Sequence, residues 1–334
     1  INIRNAMAAL PGQAILNADG SWAGPVGQSS WYGDIRNPIG EATLNDNATA
    51  GYNILGNINA EISILPQLKF KTTGGVQASF WDSRNWSPKY NWQPISQPFS
   101  TLNQQYNKSM TWLFDNYLTY DTTFNAKHHL TVLGGTSAQN NRYDQMNASK
   151  ANFISDGAQQ LDNGTTLPTA GGNASDWALL SFIGRANYSY SDKYLLTATV
   201  RRDGSSRFGE NNRWGWFPSG SVKWRISNED FFKENSWVSD LALRAGFGVT
   251  GNQNIGNYAY ASRLSTNQYV FNGQIVNTVV PTVLPNPDVR WEEVQQSNIG
   301  LDAAFNNGRI NLTVDAYLKN TTGMLVPMSV PITT

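Results

Sequence analysis

The chain carries few residues that could do chemistry, and their spacing excludes most of it. Gly246-Phe247-Gly248-Val249-Thr250-Gly251 satisfies the dinucleotide-binding fingerprint literally. That fingerprint works only where a helix opens after the strand and offers its N-terminus to a pyrophosphate. Asn252-Gln253-Asn254-Ile255-Gly256 follows instead, which reads as loop, so no nucleotide cofactor is expected. His128 and His129 are the only histidines. Neighbours on a strand point to opposite faces, so the two cannot chelate one metal. Glu292 and Glu293 fail as a carboxylate pair for the same reason. Cysteine is absent, which removes disulfides, thiolate metal sites and Cys nucleophiles. Both histidines lie beside the tight turn Asn125-Ala126-Lys127, out of reach of any Ser/His/Asp arrangement. A glycosidase needs two carboxylates facing one cleft, and here Asp and Glu are scattered among loops. No catalytic, cofactor-binding or metal-ligating residue is therefore nominated, and enzymatic activity is not expected.

One loop-like stretch has chemistry of another kind. In FWDSRNWSPKYNWQP, residues 80–94, Trp81, Trp86, Tyr90 and Trp92 cluster beside Asp82 and Arg84. Aromatic faces flanked by polar groups suit sugar rings, and they suit a protein partner or packing within the loop equally well. Trp81, Arg84, Trp86, Tyr90 and Trp92 are the candidate contacts to a substrate or partner.

The elements that must position these residues read as strands. Charged residues are 14% of the 334, against about 25% in an ordinary soluble domain, while aromatics reach 12%. The polarity comes from Asn, Gln, Ser, Thr and Gly, as in a sheet with one apolar face and one polar, weakly charged face. Net charge is zero, which gives no footprint for nucleic acid. No apolar run approaches the roughly 18 residues of a membrane helix. The chain begins at Ile1 without a signal peptide, and is expected to be a piece of a longer protein.

The dominant period is two. In RINLTVDAYLK, Ile310, Leu312, Val314, Ala316 and Leu318 oppose Asn311, Thr313, Asp315, Tyr317 and Lys319. Alternation marks about ten segments: 52–65, 67–82, 109–124, 127–142, 177–191, 193–207, 213–227, 240–251, 289–305 and 308–322. Most exceed the ordinary strand of about 5–6 residues and suit a tilted strand crossing a bilayer. Their connections sort by end. Pro66, Asn125-Ala126-Lys127, Ser191-Asp192-Lys193 and Asn306-Asn307-Gly308 mark tight turns, whereas 83–108, 143–176 and 252–288 read as long loops. Short periplasmic turns and long extracellular loops are the habit of an outer-membrane barrel. Trp112, Trp177, Trp214, Trp216 and Trp291 open descending strands on this reading and are the expected membrane-interface aromatics. Ser227 and Asp230 resemble a capping box for a turn or two of helix, with an irregular turn as the alternative. In RRDGSSRFG, residues 201–209, Asp203-Gly204 reads as the turn of an outer hairpin, with Arg201, Arg202 and Arg207 at or above headgroup level.

Three segments carry a resemblance to a family. GRANYSYSDKYLLTATVRRDGSSRFGENNRWGWFPSGSVKWRISNEDFF (184–232), LALRAGFGVTGNQNIGNYAY (241–260) and VRWEEVQQSNIGLDAAFNNGRINLTVDAYLKNTTGMLV (289–326) resemble the SusC/RagA-like TonB-linked outer-membrane transporters, in the family's order. The early segments ALPGQAILNADGSWAGP and YNILGNINAEISILPQLKFKTTGGV fit more loosely. The resemblance implies an all-β fold, an antiparallel transmembrane segment of a roughly 22-stranded barrel with an N-terminal plug. It implies residues 52–322 as partial barrel, 1–51 as an extracellular loop region and 323–334 as the start of another, with the plug and remaining strands outside this chain. Small residues on one face of 246–251 would leave room for that plug. It further implies a SusD-like surface lipoprotein, TonB engaged through the N-terminal part, and import of an oligosaccharide or peptide across a Bacteroidetes-type outer membrane. A secreted all-β carbohydrate-binding module is the alternative; it accounts for aromatics and Asn-rich loops but not for loop sorting or strand length.

Overall fold

The computed structural model describes residues 6–7, 14–23, 37–92, 95–232 and 237–326, with the backbone alone described at 91, 92, 95 and 96. One helix, α1 (Pro38–Leu44), precedes fourteen strands among these residues. They are β1 (Asp46–Leu65), β2 (Leu68–Ser87), β3 (Tyr90–Trp92), β4 (Ile95–Gln97), β5 (Thr101–Phe124), β6 (His128–Ala151), β7 (Thr169–Tyr190), β8 (Tyr194–Ser205), β9 (Trp214–Arg225), β10 (Val238–Asn252), β11 (Arg263–Phe271), β12 (Gln274–Val283), β13 (Glu292–Phe305) and β14 (Ile310–Thr322). Ten of them form one sheet in the order β1-β2-β5-β6-β7-β8-β9-β10-β13-β14. Apart from the short pairs β3-β4 and β11-β12, this is chain order, an up-and-down meander. No described helix is long and apolar enough to cross a membrane.

The sequence positions these strands by two devices. Alternation fixes the register: along β8, Tyr194, Leu196, Ala198 and Val200 lie exposed while Leu195, Thr197 and Thr199 are half-buried. A slip of one residue would exchange the two faces, so the register is strongly specified. The tight turns fix the hairpins. Asn125-Ala126, Ser191-Asp192 and Asn306-Asn307 all have φ between 50° and 54°, the left-handed region that two-residue hairpin turns require.

The strands run further than alternation predicts. β5 begins at Thr101 and β6 ends at Ala151, so much of the expected loops 83–108 and 143–176 is strand. The expected loop 252–288 holds the hairpin β11-β12, turned at Asn272-Gly273. The capping box does not form: a 3-10 turn spans Ile226–Asn228, and the Ser227 hydroxyl donates to Asp240 rather than serving as a cap.

The chain divides into two compact units, residues 1–54, 77–110 and 142–175, and residues 55–76, 111–141 and 176–334. In the first, Trp86, Leu102 and Phe153 form a small core, with Leu161 against it. The Asn37 side chain caps α1 there, accepting from the amides of Ile39 and Gly40 while donating to the carbonyls of Ile15 and Ala23. In the second, Phe208, Phe217 and Trp291 form the core, closed by Leu179, Val249, Ile255 and Val289. Neither core lies between sheet layers. The long apolar rows of the second unit stay exposed, as at Val222, Phe247, Ile299 and Val314. A contiguous apolar face of this extent is foreign to a soluble monomer.

Candidate functional site

On the polar face of the second unit, β9, β10, β13 and β14 bring four charges together. Asp302 accepts from Lys223 at 3.1 Å and from Arg244, whose far nitrogen reaches Asp315 at 2.8 Å. Gly300 makes this approach possible, because a Cβ there would lie 2.6 Å from Asp315 Oδ1 and 2.7 Å from Arg244 Cζ. Next to this network Thr197, Ser219, Ser221, Gly246, Gly248 and Asn298 line a shallow depression of about 340 Å³. The glycine fingerprint thus lies in β10 and serves close approach: a Cβ at Gly246 would meet Asn298 Oδ1 at 2.9 Å.

In the first unit an uncharged polar cluster gathers around Trp81. The indole stacks on Tyr143 with centroids 6.0 Å apart. The Tyr143 hydroxyl donates to Asn107 Oδ1 at 2.7 Å, and the Gln105 amide donates to the same oxygen at 2.8 Å. Gln145 accepts from Tyr143 and from Asn173. An aromatic pair ringed by amides offers stacking plus donors and acceptors, the chemistry that orients a neutral polar ligand.

The structure separates the five loop candidates. Trp81 is half-buried in that cluster. Arg84 is held by Asp46 at 2.9 Å and by the Gln159 side-chain oxygen. Trp86 differs from the others: at 2% exposure it packs edge-on against Phe153 in the small core, so its ring is spent on packing. Tyr90 lies in β3, and the side chain of Trp92 lies outside the described residues. Asn107, Tyr143 and Gln145 escaped sequence reading because single Asn, Gln and Tyr residues carry no pattern until strand pairing brings them together.

Of the five interface tryptophans, Trp112, Trp214 and Trp216 are exposed on the apolar face. Two are corrections. Trp177 shares the face of Leu179 and Ser181, opposite the apolar one, and lies under the Arg207 guanidinium at 5.1 Å. Trp291 is 7% exposed, packed on Phe208 and Phe217, and its indole N–H donates to the Arg213 carbonyl. Sequence shows a Trp near a strand end; only its partners decide its face.

A second aromatic row was missed. At the tight-turn end, Phe124 stacks on His128, His128 meets Tyr190, and Tyr190 stacks on Tyr194, all on the apolar face, which Trp224 extends on β9. His129 points the other way, to Thr123 and Asp121, as alternation requires. Trp216 and Trp224 are eight residues apart on β9. That is about 27 Å along the strand, or roughly 20 Å of height at the usual tilt of about 35–45°, on the scale of the ~25 Å apolar band of an outer-membrane barrel. Below this row Lys193 bridges Glu229 and Asp230, each at 3.1 Å. Hydrogen bonds from Tyr194, Trp224 and Lys193 hold the Glu229 carboxyl below the usual range, while Glu229 and Asp230 raise Lys193.

RRDGSSRFG is not a turn at Asp203-Gly204. Both residues are in β8, paired with Gly215 and Trp214, and the chain turns only after Ser205. Gly204 is demanded by the ring of Trp214, which a Cβ would meet at 2.7 Å. Arg201 points to the polar face and donates to both oxygens of the buried Asp203, at 2.7 and 2.9 Å.

Comparison with known proteins fits this geometry. A family model described as TonB dependent receptor-like, beta-barrel matches residues 9–334. A TonB-dependent receptor of Formosa agariphila is 35% identical over 88% of this chain and 28% of its own length. TonB-dependent receptor SusC of Bacteroides thetaiotaomicron is 31% identical over 90% of this chain and 30% of its own. The structure of the RagAB peptide transporter superposes with a TM-score of 0.82 at 29% identity, over 94% of this chain and 35% of that one. The chain thus spans about a third of the length of the proteins it matches. The ten-stranded antiparallel meander agrees with these matches, and the chain belongs to the TonB-dependent receptor-like β-barrel family, on its SusC/RagA-like side.

Proposed function

We propose that this chain is the central barrel portion of a TonB-dependent importer in a bacterial outer membrane, taking up an oligosaccharide or peptide without enzymatic chemistry. The observation that carries the reading is the pair of aromatic rows bounding an exposed apolar band. Lipid is the solvent that makes such a band stable. Residues 52–322 form the membrane-crossing part, and 1–51 and 323–334 lie on the outer side. Trp112, Trp214 and Trp216 mark the outer interface. The polar face lines the barrel, and its row of small residues along β10 receives a plug carried elsewhere in the protein. TonB engages the N-terminal part, and a SusD-like lipoprotein closes the mouth. The RagAB peptide transporter supports peptide as a cargo class. The uncharged Trp81–Tyr143 cluster supports a neutral polar ligand, sugar or peptide backbone, and Tyr90 and Trp92 stand nearby in sequence as further contacts.

The reading is tested on the full-length protein in its native host. Deletion should abolish growth on one class of oligosaccharide or peptide, and the protein should extract only in detergent, with heat-modifiable gel mobility. Extraction into buffer without detergent would overturn it. Replacing Trp81 by Ala should weaken cargo binding by about two- to tenfold, the worth of one aromatic stacking contact.

A further inference from the structure

Neighbouring arginines in β8 have opposite fates. Arg201 is neutralised by Asp203 on the polar face. Arg202 points to the apolar face, in line with Val200, Ala198 and Leu196. It is the only basic residue that the register places on that face across β7–β10, β13 and β14. Among the described residues no carboxylate answers it. Phe182 stands directly across on one side and Trp216 on the other. Its guanidinium carbon lies 4.7 Å from the ring centre of Trp214 and 5.2 Å from that of Trp216. Its Nε is buried and has no hydrogen-bond partner among the described residues.

This is a built arrangement. Trp214 reaches over Arg202 only because Gly204 has no side chain beneath the ring. The ring also meets Phe182 at 6.0 Å, which closes the cradle on its other side. Packing over the two indoles holds the guanidinium in place but satisfies none of its five N–H donors. Trp216 is 58% exposed and Arg202 itself only half-buried, so the cradle is open on one side. A guanidinium seated over two indoles, with its terminal nitrogens unpaired among the described residues, can offer those two nitrogens as a fork to a phosphate.

We propose that Arg202, cradled by Trp214 and Trp216, binds the phosphate of a lipid headgroup in the outer leaflet. The site rests on the membrane reading above, which puts the Trp216 row at headgroup level. The occupant is a lipid rather than a soluble anion because the cradle faces the same way as the apolar band directly below it. An acyl chain of the same molecule then runs down over Val200, Ala198 and Leu196.

The test uses the full-length protein, delipidated in mild detergent and offered dioleoyl phosphatidic acid or dioleoylglycerol, which differ only by the phosphate. Native mass spectrometry counts the retained lipid. Wild type should prefer phosphatidic acid by about tenfold, the scale of one charge-assisted contact. Arg202→Gln should lose most of that preference, and Arg202→Lys, which keeps charge without the fork, should keep part of it. Trp216→Leu keeps the arginine but loosens its seat, and should give a partial loss even if Arg202→Gln fails to fold. Three results overturn the proposal: an Arg202→Gln preference equal to wild type, displacement of the lipid by millimolar inorganic phosphate, or a change in oligomeric state with lipid retention unchanged. In each the protein still requires detergent, so the importer reading survives. A protein that dissolves in buffer and retains neither lipid would remove both.

Discussion

Two aromatic groups in the second unit use the same residue types for opposite ends. The turn-end row of Phe124, His128, Tyr190, Tyr194 and Trp224 lies spread over five strands, with Phe124, Tyr194 and Trp224 each exposed. The knot of Phe208, Phe217 and Trp291 is buried to 7% or less. The first joins no elements that hydrogen bonds have not already joined. The second pins the segment after β8, the start of β9 and the approach to β13, which no shared ladder holds together. Where lipid replaces water outside, exposed aromatics mark depth and buried ones hold loops. The comparison predicts that mutations in the knot act on stability, and mutations in the row on membrane placement.

The largest expected effect is Trp291→Ala. It removes a buried indole, two ring contacts and the hydrogen bond to Arg213. The loss should be about 3–5 kcal/mol. Denaturant melting of the barrel in detergent checks it, together with faster proteolysis at 253–262. A loss as small as that of a row residue would dissolve the contrast. Next is Gly251→Ala. Its Cβ would fall 2.1 Å from the Phe217 ring, so the ring must swing out of the knot. Overpacking of this kind costs about 1–3 kcal/mol. The same melt should show it, and Phe217→Leu should relieve it. Third is Tyr190→Leu in the row. It forfeits the contacts to His128 and Tyr194 but leaves an apolar group facing lipid. The expected loss is about 1 kcal/mol, the worth of aromatic pairing alone.

The same division explains what was legible in the sequence. Alternation located all ten strands of the main sheet because lipid on one side and polar groups on the other write a strong period of two. It failed at β6 beyond Arg142, where YDQMNASKA offers only Met146 and two alanines among its polar residues, too weak a contrast to mark a face. Once a strand leaves the membrane both faces can be polar, and the period disappears while the hydrogen-bond ladder continues. The hairpin β11-β12 failed for a related reason. Its first strand runs in blocks, Ser265–Gln268 polar on both faces and Tyr269–Phe271 apolar on both, so no alternation marks it. The family segments were legible because they are long and ordered. The faces of Trp177 and Trp291 were not, since a tryptophan's position along a strand is local and its partner lies as far off as Phe208 or Arg207. Asp203-Gly204 read as a turn because Gly serves both turns and close approach, and only the Trp214 ring distinguishes them.

The smallest expected effect sharpens the boundary of the row. Glu229 ties Trp224 to the turn below it, accepting from the indole N–H at 3.0 Å and from Lys193 at 3.1 Å. Its carboxyl is held below the ordinary value by Tyr194, Trp224 and Lys193 together. A group whose folded value is depressed stabilises the fold above its unfolded pKa, and that contribution is lost as pH falls through the folded value. Lys193 is shifted upward by Glu229 and Asp230, so its share is complete at neutral pH and is lost only on the far alkaline side. The difference in melting between wild type and Glu229→Gln should therefore stay constant through neutral pH and close only in acid. A difference that instead persisted unchanged into strong acid would show that Trp224 and its neighbours in the row hold without the Glu229 charge. Depth at this interface would then be set by the aromatic row itself rather than by the ion pairs under it.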